Sequence, residues 1–151
     1  MRWAFGDTLT EAHHTMARRN QTIFGDWFNK HVLMNTKDDK CSSALLIYPG
    51  VVGKQDRLDT YWPGPRLPLF GNDSWQFSTF AGAPDIVIPI GEVESISNIT
   101  GAKEPLPIAI NVVAAKGCDG VLSRLAIDLV EVGAIEIPRV GRSLRGGDVL
   151  R

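Results

Sequence analysis

Side chains with catalytic or metal-binding chemistry lie at three places in the sequence, and the first two have a plain structural interpretation. His13 and His14 are adjacent, so on a helix they point to different sides and cannot chelate a metal ion together as an i,i+4 pair does. Lys40-Cys41-Ser42-Ser43 holds the residue types of a Ser–Lys hydrolase. It has no flanking glycine for an oxyanion turn and leads directly into an apolar run. We predict a solvated helix face and the start of a strand.

The third place surrounds the second of the two cysteines, Cys41 and Cys118. Lys116-Gly117-Cys118-Asp119-Gly120 precedes a predicted helix, whose dipole favours a thiolate at its start. The spacing of a phosphate-binding loop is absent, and no histidine lies nearby in sequence to serve as a base. We predict a helix cap and structural thiols in a reducing compartment. A hydrolase that uses Cys118 as nucleophile is the least favoured alternative.

The composition limits the class of protein. The 151 residues carry a formal net charge of −1, and 44% of them are hydrophobic. This size fits one domain, and the absence of a basic excess argues against nucleic-acid binding. No apolar run reaches the roughly 18 residues that span a bilayer, and the N-terminus lacks the apolar region of a secretory signal. We expect a soluble cytoplasmic protein, in which the sequons at Asn20, Asn72 and Asn98 occur by chance.

The first predicted element that would position these groups is a long amphipathic helix. Thr8-Leu9-Thr10-Glu11 matches a capping box. Apolar residues then recur with helical period as far as Val32, and a break near Gly25 is an alternative. The stripe that we predict to face the core consists of Leu9, Ala12, Met16, Ile23 and Trp27, widened by Phe24 and Phe28.

The remaining pattern predicts an α/β fold with a covered sheet. The apolar runs predict strands at 43–48, 85–90 and 108–114, the first stopped by Pro49-Gly50 and the second ended, or placed at an edge, by Pro89. A helix begins near Asp119 and ends at Gly133. Residues 49–74 are rich in proline and glycine and predict a long loop, and the tail over 138–151 is predicted to fray.

Two of these strands carry a family resemblance. Phe80-Ala81-Gly82-Ala83-Pro84-Asp85-Ile86-Val87-Ile88-Pro89-Ile90-Gly91 resembles the G-x-P-x-[IV]-x-[IV]-P-x-G segment of amidase-signature enzymes. Glu104-Pro105-Leu106-Pro107-Ile108 and the residues after it are similar to the L-P-[IV]-x-[IVL] strand that follows in that family. The helix after Asp119 has the same position in the order of elements as the terminal helix of that family. The segments 2–6 and 43–49 resemble fungal members, so the resemblance covers nearly all of 1–151 and is best over 77–133.

The resemblance implies the C-terminal part of an α/β/α fold around a mixed, covered sheet, in a hydrolase of amide C–N bonds. The family's Ser–Ser–Lys triad and glycine-rich loop lie upstream of the matched segments. Since this sequence has no such loop, the catalytic assignment is none. Trp75 and Thr79 are the candidate substrate contacts, with core packing as the alternative. The implied ligand is a small amide, and we expect neither a cofactor nor a metal ion.

Two hypotheses follow for the chain as a whole. The first is a C-terminal portion of an amidase-type hydrolase that is inactive alone, because the triad is absent. The alternative is a non-catalytic binding or interaction module that keeps this layer of the fold. Such a module needs a partner chain over its exposed sheet, since uncovered apolar faces and edges favour association.

Overall fold

The computed structural model describes residues 6–34, 41–53 and 76–148, which form three helices and three strands. In chain order these are α1 (Glu11–His31), β1 (Leu46–Val52), α2 (Phe77–Ala81), β2 (Asp85–Ile96), β3 (Lys103–Val113) and α3 (Asp119–Glu131). Helices and a sheet occur together, as the α/β class requires. None of these helices is both long and apolar enough to cross a lipid bilayer.

The three strands form one sheet in the order β1-β3-β2. β3 is central, and its residues Ala109, Val112 and Val113 are buried, as predicted for a strand covered on both faces. Both pairings are antiparallel. Among the described strands the sheet is therefore antiparallel, where the family resemblance predicts a mixed one.

Both outer strands continue past a proline: β1 passes Pro49-Gly50, where the sequence predicts it to stop, and β2 passes Pro89, whose alternative placement on an edge strand is confirmed among the described strands. β1 runs through Pro49-Gly50 to Val52, and β2 runs through Pro89 to Ile96. Each is an edge strand, in which a proline without an N–H costs no ladder hydrogen bond when it faces outward. The register also shifts after Pro49 and after Pro89, so a bulge accommodates each irregular position.

α1 is a single helix of 21 residues, which confirms the predicted long helix, and the alternative of a break near Gly25 is not observed. Its N-cap is Thr10 rather than Thr8: the Thr10 hydroxyl accepts a hydrogen bond from the His13 N–H, and His13 Nδ1 accepts one from the Thr10 N–H. Gly25 faces α2 closely, since a Cβ there would lie 3.4 Å from the Phe80 carbonyl oxygen. His13 therefore caps the helix, and Gly25 permits a close helix contact.

The prediction of which side of α1 faces the core is confirmed for Phe24 and Phe28 and wrong for the rest of the stripe. The side chains predicted to be buried are more than half exposed: Leu9, Met16, Ile23 and Trp27. Only the two phenylalanines beside them pack inward, against α2. Phe24 meets Phe80 edge-on with ring centroids 6.3 Å apart, and Phe28 stacks on Phe77 at 6.1 Å. α1 is thus held by an aromatic contact near its C-terminal end.

α3 meets the sheet as the sequence predicts. It begins after Cys118 and ends before Gly133, which has the left-handed φ of +72° that favours glycine at this position. Leu122 is fully buried, and Leu125 and Leu129 pack against the same core. The helix therefore covers the sheet on the side of β2.

Cys41 and Cys118 form a disulfide, with Cα atoms 5.5 Å apart. The prediction of two structural thiols is wrong, because a pairing across 77 residues of sequence leaves no local signal. The bond joins the segment before β1 to the residue that starts α3. With its sulfur bonded, Cys118 is no nucleophile, and the cysteine-hydrolase alternative is excluded for this form of the chain.

The segment after α3 lies over the outer strand β2. Residues 139–146 make short bridges, Arg139 with Arg145 and Ser143 with Gly146. The Leu144 N–H donates a hydrogen bond to the Glu92 carboxylate. These bonds hold residues 139–146 against β2. The fraying of the tail stays a prediction.

Candidate functional site

α2 is the element that carries the predicted substrate contacts, and its end is defined by the G-x-P residues. It spans one turn and a half and stops at Gly82, whose φ of 61° and ψ of 31° are left-handed. Pro84 then leads directly into β2. Thr79 lies in this helix and is exposed, whereas its neighbour Ser78 is buried. Trp75, the other predicted contact, lies outside the described residues.

A cluster of polar side chains lies beside α2, on all three strands. We name it the Tyr48 cluster; its members are Tyr48 of β1, Asn111 of β3, Asp85 of β2 and Ser78 of α2. Tyr48 and Asn111 are opposite each other in the sheet register, as are Asn111 and Val87. Asp85 precedes Val87 by two residues and therefore shares its face. The strand register itself brings these three side chains together.

Hydrogen bonds occupy both carboxylate oxygens of the cluster. The Tyr48 hydroxyl donates to Asp85 Oδ2 at 2.6 Å, and Asn111 Nδ2 donates to Asp85 Oδ1 at 3.0 Å. Ser78 is buried close enough to the Tyr48 hydroxyl to lower the pKa of Tyr48, which brings α2 beside the sheet at this point. Tyr48 is 9% exposed, and Asp85 and Asn111 are half-buried.

The surroundings of Tyr48 keep its phenol protonated. Burial, followed by the hydrogen bond to Asp85 and the negative charge of that carboxylate, raises the pKa of Tyr48 to about 12. The side chains of Asn111 and Ser78 favour the phenolate and offset part of this effect. Tyr48 is therefore a hydrogen-bond donor at neutral pH, and neither a base nor a nucleophile.

The arrangement supports a positioning role rather than a catalytic one. Each oxygen of Asp85 accepts one hydrogen bond within the cluster, and these two bonds hold the carboxylate in one orientation. What the cluster does is fix α2, and with it Thr79, against the edge of the sheet. In the described ranges no group of three His, Cys, Asp or Glu is placed to hold a metal ion.

Sequence reasoning missed the Tyr48 cluster. Tyr48 ends an apolar run and Asp85 begins another, so each is a strand residue with no visible partner. A signal existed only in the period-2 pattern, in which Asp85 and Val87 share a face. The local sequence does not show which strands pair with each other or in what register.

The serine pair that resembles a Ser–Lys hydrolase is structural. Ser42 Oγ donates to the Ala44 carbonyl at 2.6 Å and accepts a hydrogen bond from the Ala115 N–H at 3.2 Å. Ser43 Oγ donates to the Met34 carbonyl at 2.5 Å. These bonds fix the start of β1 to the ends of α1 and β3, as the prediction of a strand start implies.

Two concavities formed by described residues lie away from Thr79. A cavity of about 400 Å³ opens at the bulge of β2, lined by Gly91, Glu92 and Arg145 among others. A cleft of about 200 Å³ runs between α1 and α2. In that cleft Asn29 Nδ2 donates to the Ala81 carbonyl at 3.0 Å, and Asn29 Oδ1 accepts from the Lys116 N–H at 3.1 Å. Thr79 instead faces outward, where a second layer of protein or a substrate could contact it.

No family model matches the chain, and no solved structure matches it at a significant level. The resemblance to amidase-signature enzymes therefore depends on the motifs of the sequence.

Proposed function

We propose that this chain is the C-terminal layer of an amidase-type hydrolase and acts on amide C–N bonds only together with a layer that holds the Ser–Ser–Lys triad. The substrate class is a small amide. The chain itself contributes a wall of the site and no catalytic group.

The observation that supports this proposal is the way the resembling segments fit together. The G-x-P residues end α2 and start β2, and β2 pairs along its length with β3, which carries the L-P residues. The Gly117-Cys118-Asp119 turn then returns the chain as α3 onto β2. Segments that resemble three consecutive pieces of one family are thus neighbours in space as well as in sequence.

Thr79 is the described residue that this proposal assigns to substrate contact. It is exposed on α2, while Ser78 on the buried side of the same turn lies beside Tyr48. The Tyr48 cluster would therefore keep the Thr79 side of the helix in one position. Trp75 is proposed as the second contact by family resemblance.

A graft tests the proposal directly. Residues 41–133 replace the corresponding segment of an amidase-signature enzyme, from the segment that resembles 43–49 through its terminal helix, so that the graft keeps Cys41, Tyr48 and Trp75. The chimaera should fold and hydrolyse nitroacetanilide, whereas the isolated chain 1–151 should not. A graft that carries Gly82→Val is the matched control and should lose activity, since a β-branched residue is strained at the left-handed φ of 61°.

Two results contradict the proposal. One is a chimaera that unfolds, or folds cooperatively without hydrolysing the amide. The other is robust hydrolysis by the isolated chain that Ser43→Ala abolishes, which would place a complete catalytic set in this sequence.

The second candidate, an interaction module that needs a partner chain, is favoured by one observation. The apolar stripe of α1 is more than half exposed over its length, at Leu9, Met16, Ile23 and Trp27. Size-exclusion chromatography with light scattering separates the two candidates. A module of this kind should form a defined assembly, whereas a cooperative monomer would remove the need for a partner.

A further inference from the structure

The disulfide indicates the compartment in which the chain matures. Cys118 is 1% exposed and Cys41 lies at the surface, and the two are bonded. Formation of this bond removes two protons and two electrons from two thiols, and a disulfide oxidant takes them up and becomes two thiols. Such exchange leads to stable disulfides in secretory and periplasmic compartments, whereas the cytosol keeps thiols reduced. The bond therefore argues against the cytoplasmic location predicted from the sequence.

The hairpin between β2 and β3 carries Asn98-Ile99-Thr100, the acceptor pattern for an N-linked glycan. The turn is built by Ser97, whose buried hydroxyl accepts a hydrogen bond from the Thr100 N–H at 3.2 Å. The Ser97 N–H also donates to the Ala102 carbonyl at 2.9 Å. Asn98 is exposed at the tip. A large substituent on its side chain would extend into solvent without disturbing the bonds that Ser97 makes.

Asn20 provides a comparison within the same chain. Its sequon lies inside α1, where side chains two residues apart point to different sides. The hydroxyl of Thr22 donates to the Arg18 carbonyl of the preceding helical turn at 3.0 Å. An acceptor site must present the asparagine amide and the hydroxyl together, which a turn allows better than a helix. The Asn72 sequon lies outside the described residues.

We propose that Asn98 is an N-glycosylation acceptor and that the chain matures in an oxidising, glycosylating compartment. Asn98 Nδ2 forms a bond to the anomeric carbon of an oligosaccharide carried on a polyprenyl pyrophosphate. The anomeric C–O bond breaks, the polyprenyl pyrophosphate leaves with its electron pair, and the amide loses one proton. The sugar would shield Ile99 and Ile96, which are 61% and 66% exposed beside it. This site does not depend on amide hydrolysis.

The test uses the full-length protein, tagged in the cells that make it and purified without reductant. Digestion with peptide N-glycosidase should lower its mass and convert the side chain at position 98 to a carboxylic acid, read by tandem mass spectrometry. The mass shift assigned to this site should be lost in Asn98→Gln and Thr100→Ala. It should persist in Thr100→Ser, which preserves the sequon, and in the matched control Asn20→Gln.

An unmodified Asn98 in every recovered peptide overturns the proposal, whatever is found at Asn20 or Asn72. A second measurement addresses the compartment: iodoacetamide added in denaturant but before reduction should leave Cys41 and Cys118 unlabelled. Complete labelling of both cysteines under these conditions would overturn the oxidising compartment. The Thr100 hydroxyl accepts a hydrogen bond from the Ala102 N–H at 3.3 Å, and Thr100→Ser keeps that hydroxyl. A glycan retained in Thr100→Ser therefore separates loss of the acceptor pattern from loss of the turn.

Discussion

α1 and α3 have the same kind of amphipathic sequence but different surroundings. α3 places Leu122 against the sheet with no exposed area, whereas α1 leaves Met16 and Ile23 57% and 58% exposed. The contacts of α1 with the rest of the described protein lie near its C-terminal end, where Phe24 and Phe28 pack on α2 and Asn29 bonds the Ala81 carbonyl and the Lys116 N–H. The comparison shows that an apolar stripe alone does not determine whether the rest of the described protein covers that face of a helix.

The geometry of the chain explains the difference. α3 follows the central strand after a turn of a few residues, so it folds back directly onto the neighbouring strand. α1 packs on α2 instead. At a rise of 1.5 Å per residue α1 is about 30 Å long and α2 only about 8 Å, so α2 can cover no more than one end of α1.

The largest expected effect concerns the link that holds the start of α3. Cys41→Ser should lower the free energy of unfolding by about 4 kcal/mol, because the disulfide closes a loop of 77 residues in the unfolded chain. Urea denaturation under oxidising conditions measures the change. Cys41 is the residue to replace because it is exposed, and its removal leaves the packing around Cys118 intact.

Reductant provides the control for this prediction. It should lower the stability of the wild type to that of Cys41→Ser and leave the variant unchanged. Equal stability of oxidised and reduced wild type would mean that α3 is held by packing alone, which would weaken the role given to the disulfide.

The next effect compares the two helices directly. Leu122→Ala should destabilise the protein by about 3 kcal/mol, because it removes a fully buried side chain and leaves a cavity. Met16→Ala, the matched change on α1, should cost less than about 0.5 kcal/mol, because that side chain is already more than half in water. Chemical denaturation of both variants gives the two losses in free energy of unfolding, and their ratio compares the two helices. Similar losses would show that the α1 stripe is buried in solution.

These two helices also show how far the sequence could predict the fold. Their existence, the start of α3 near Asp119 and its end at Gly133 follow from local sequence signals and helical period, and the burial of β3 follows from its continuous apolar run. The burial of the α1 stripe could not be predicted, since it depends on which surface lies opposite. The extension of β1 and β2 past their prolines depends on their positions at the sheet edges, which only the pairing reveals.

The candidate site could be predicted only in part, for the same reason. Thr79 came from family resemblance, and the structure places it next to a buried residue of the Tyr48 cluster. The cluster joins residues 37 and 26 positions apart in sequence, through Tyr48 with Asp85 and Asn111 with Asp85. The disulfide is a still longer pairing. Contacts of this kind are set by register and topology rather than by spacing.

A third prediction concerns the contact through which α1 is held, since the Tyr48 cluster fixes the α2 surface on which it packs. Tyr48→Phe should cost about 2 kcal/mol, because it removes a hydrogen bond to a carboxylate and leaves Asp85 Oδ2 without that donor. The readout is the free energy of unfolding at neutral pH. Thr79→Ala is the exposed control on α2 and should change the stability by less than about 0.5 kcal/mol.

The same residue predicts a pH dependence. The pKa of Tyr48 is raised to about 12 in the folded protein, against an ordinary value of 10.0. The folded state therefore favours the protonated phenol. This stabilisation is fully present below about pH 10 and is lost as the pH rises through about 12, a loss of about 2 to 3 kcal/mol. Tyr48→Phe should lack that part of the alkaline decline; an identical decline in the variant would assign it to other groups.

The smallest expected effect on stability tests the comparison of the two helices most sharply. The double variant Met16→Glu with Ile23→Glu places charges on the exposed stripe of α1. Because both side chains are more than half in water, the free energy of unfolding should change by less than about 0.5 kcal/mol. The stripe should nevertheless govern association, since an exposed apolar surface favours contact with another protein surface. In size-exclusion chromatography with light scattering, the wild type should elute as a larger species than the variant at high concentration. A loss of more than about 2 kcal/mol in the variant would instead mean that the stripe packs within this chain, and α1 and α3 would then be alike.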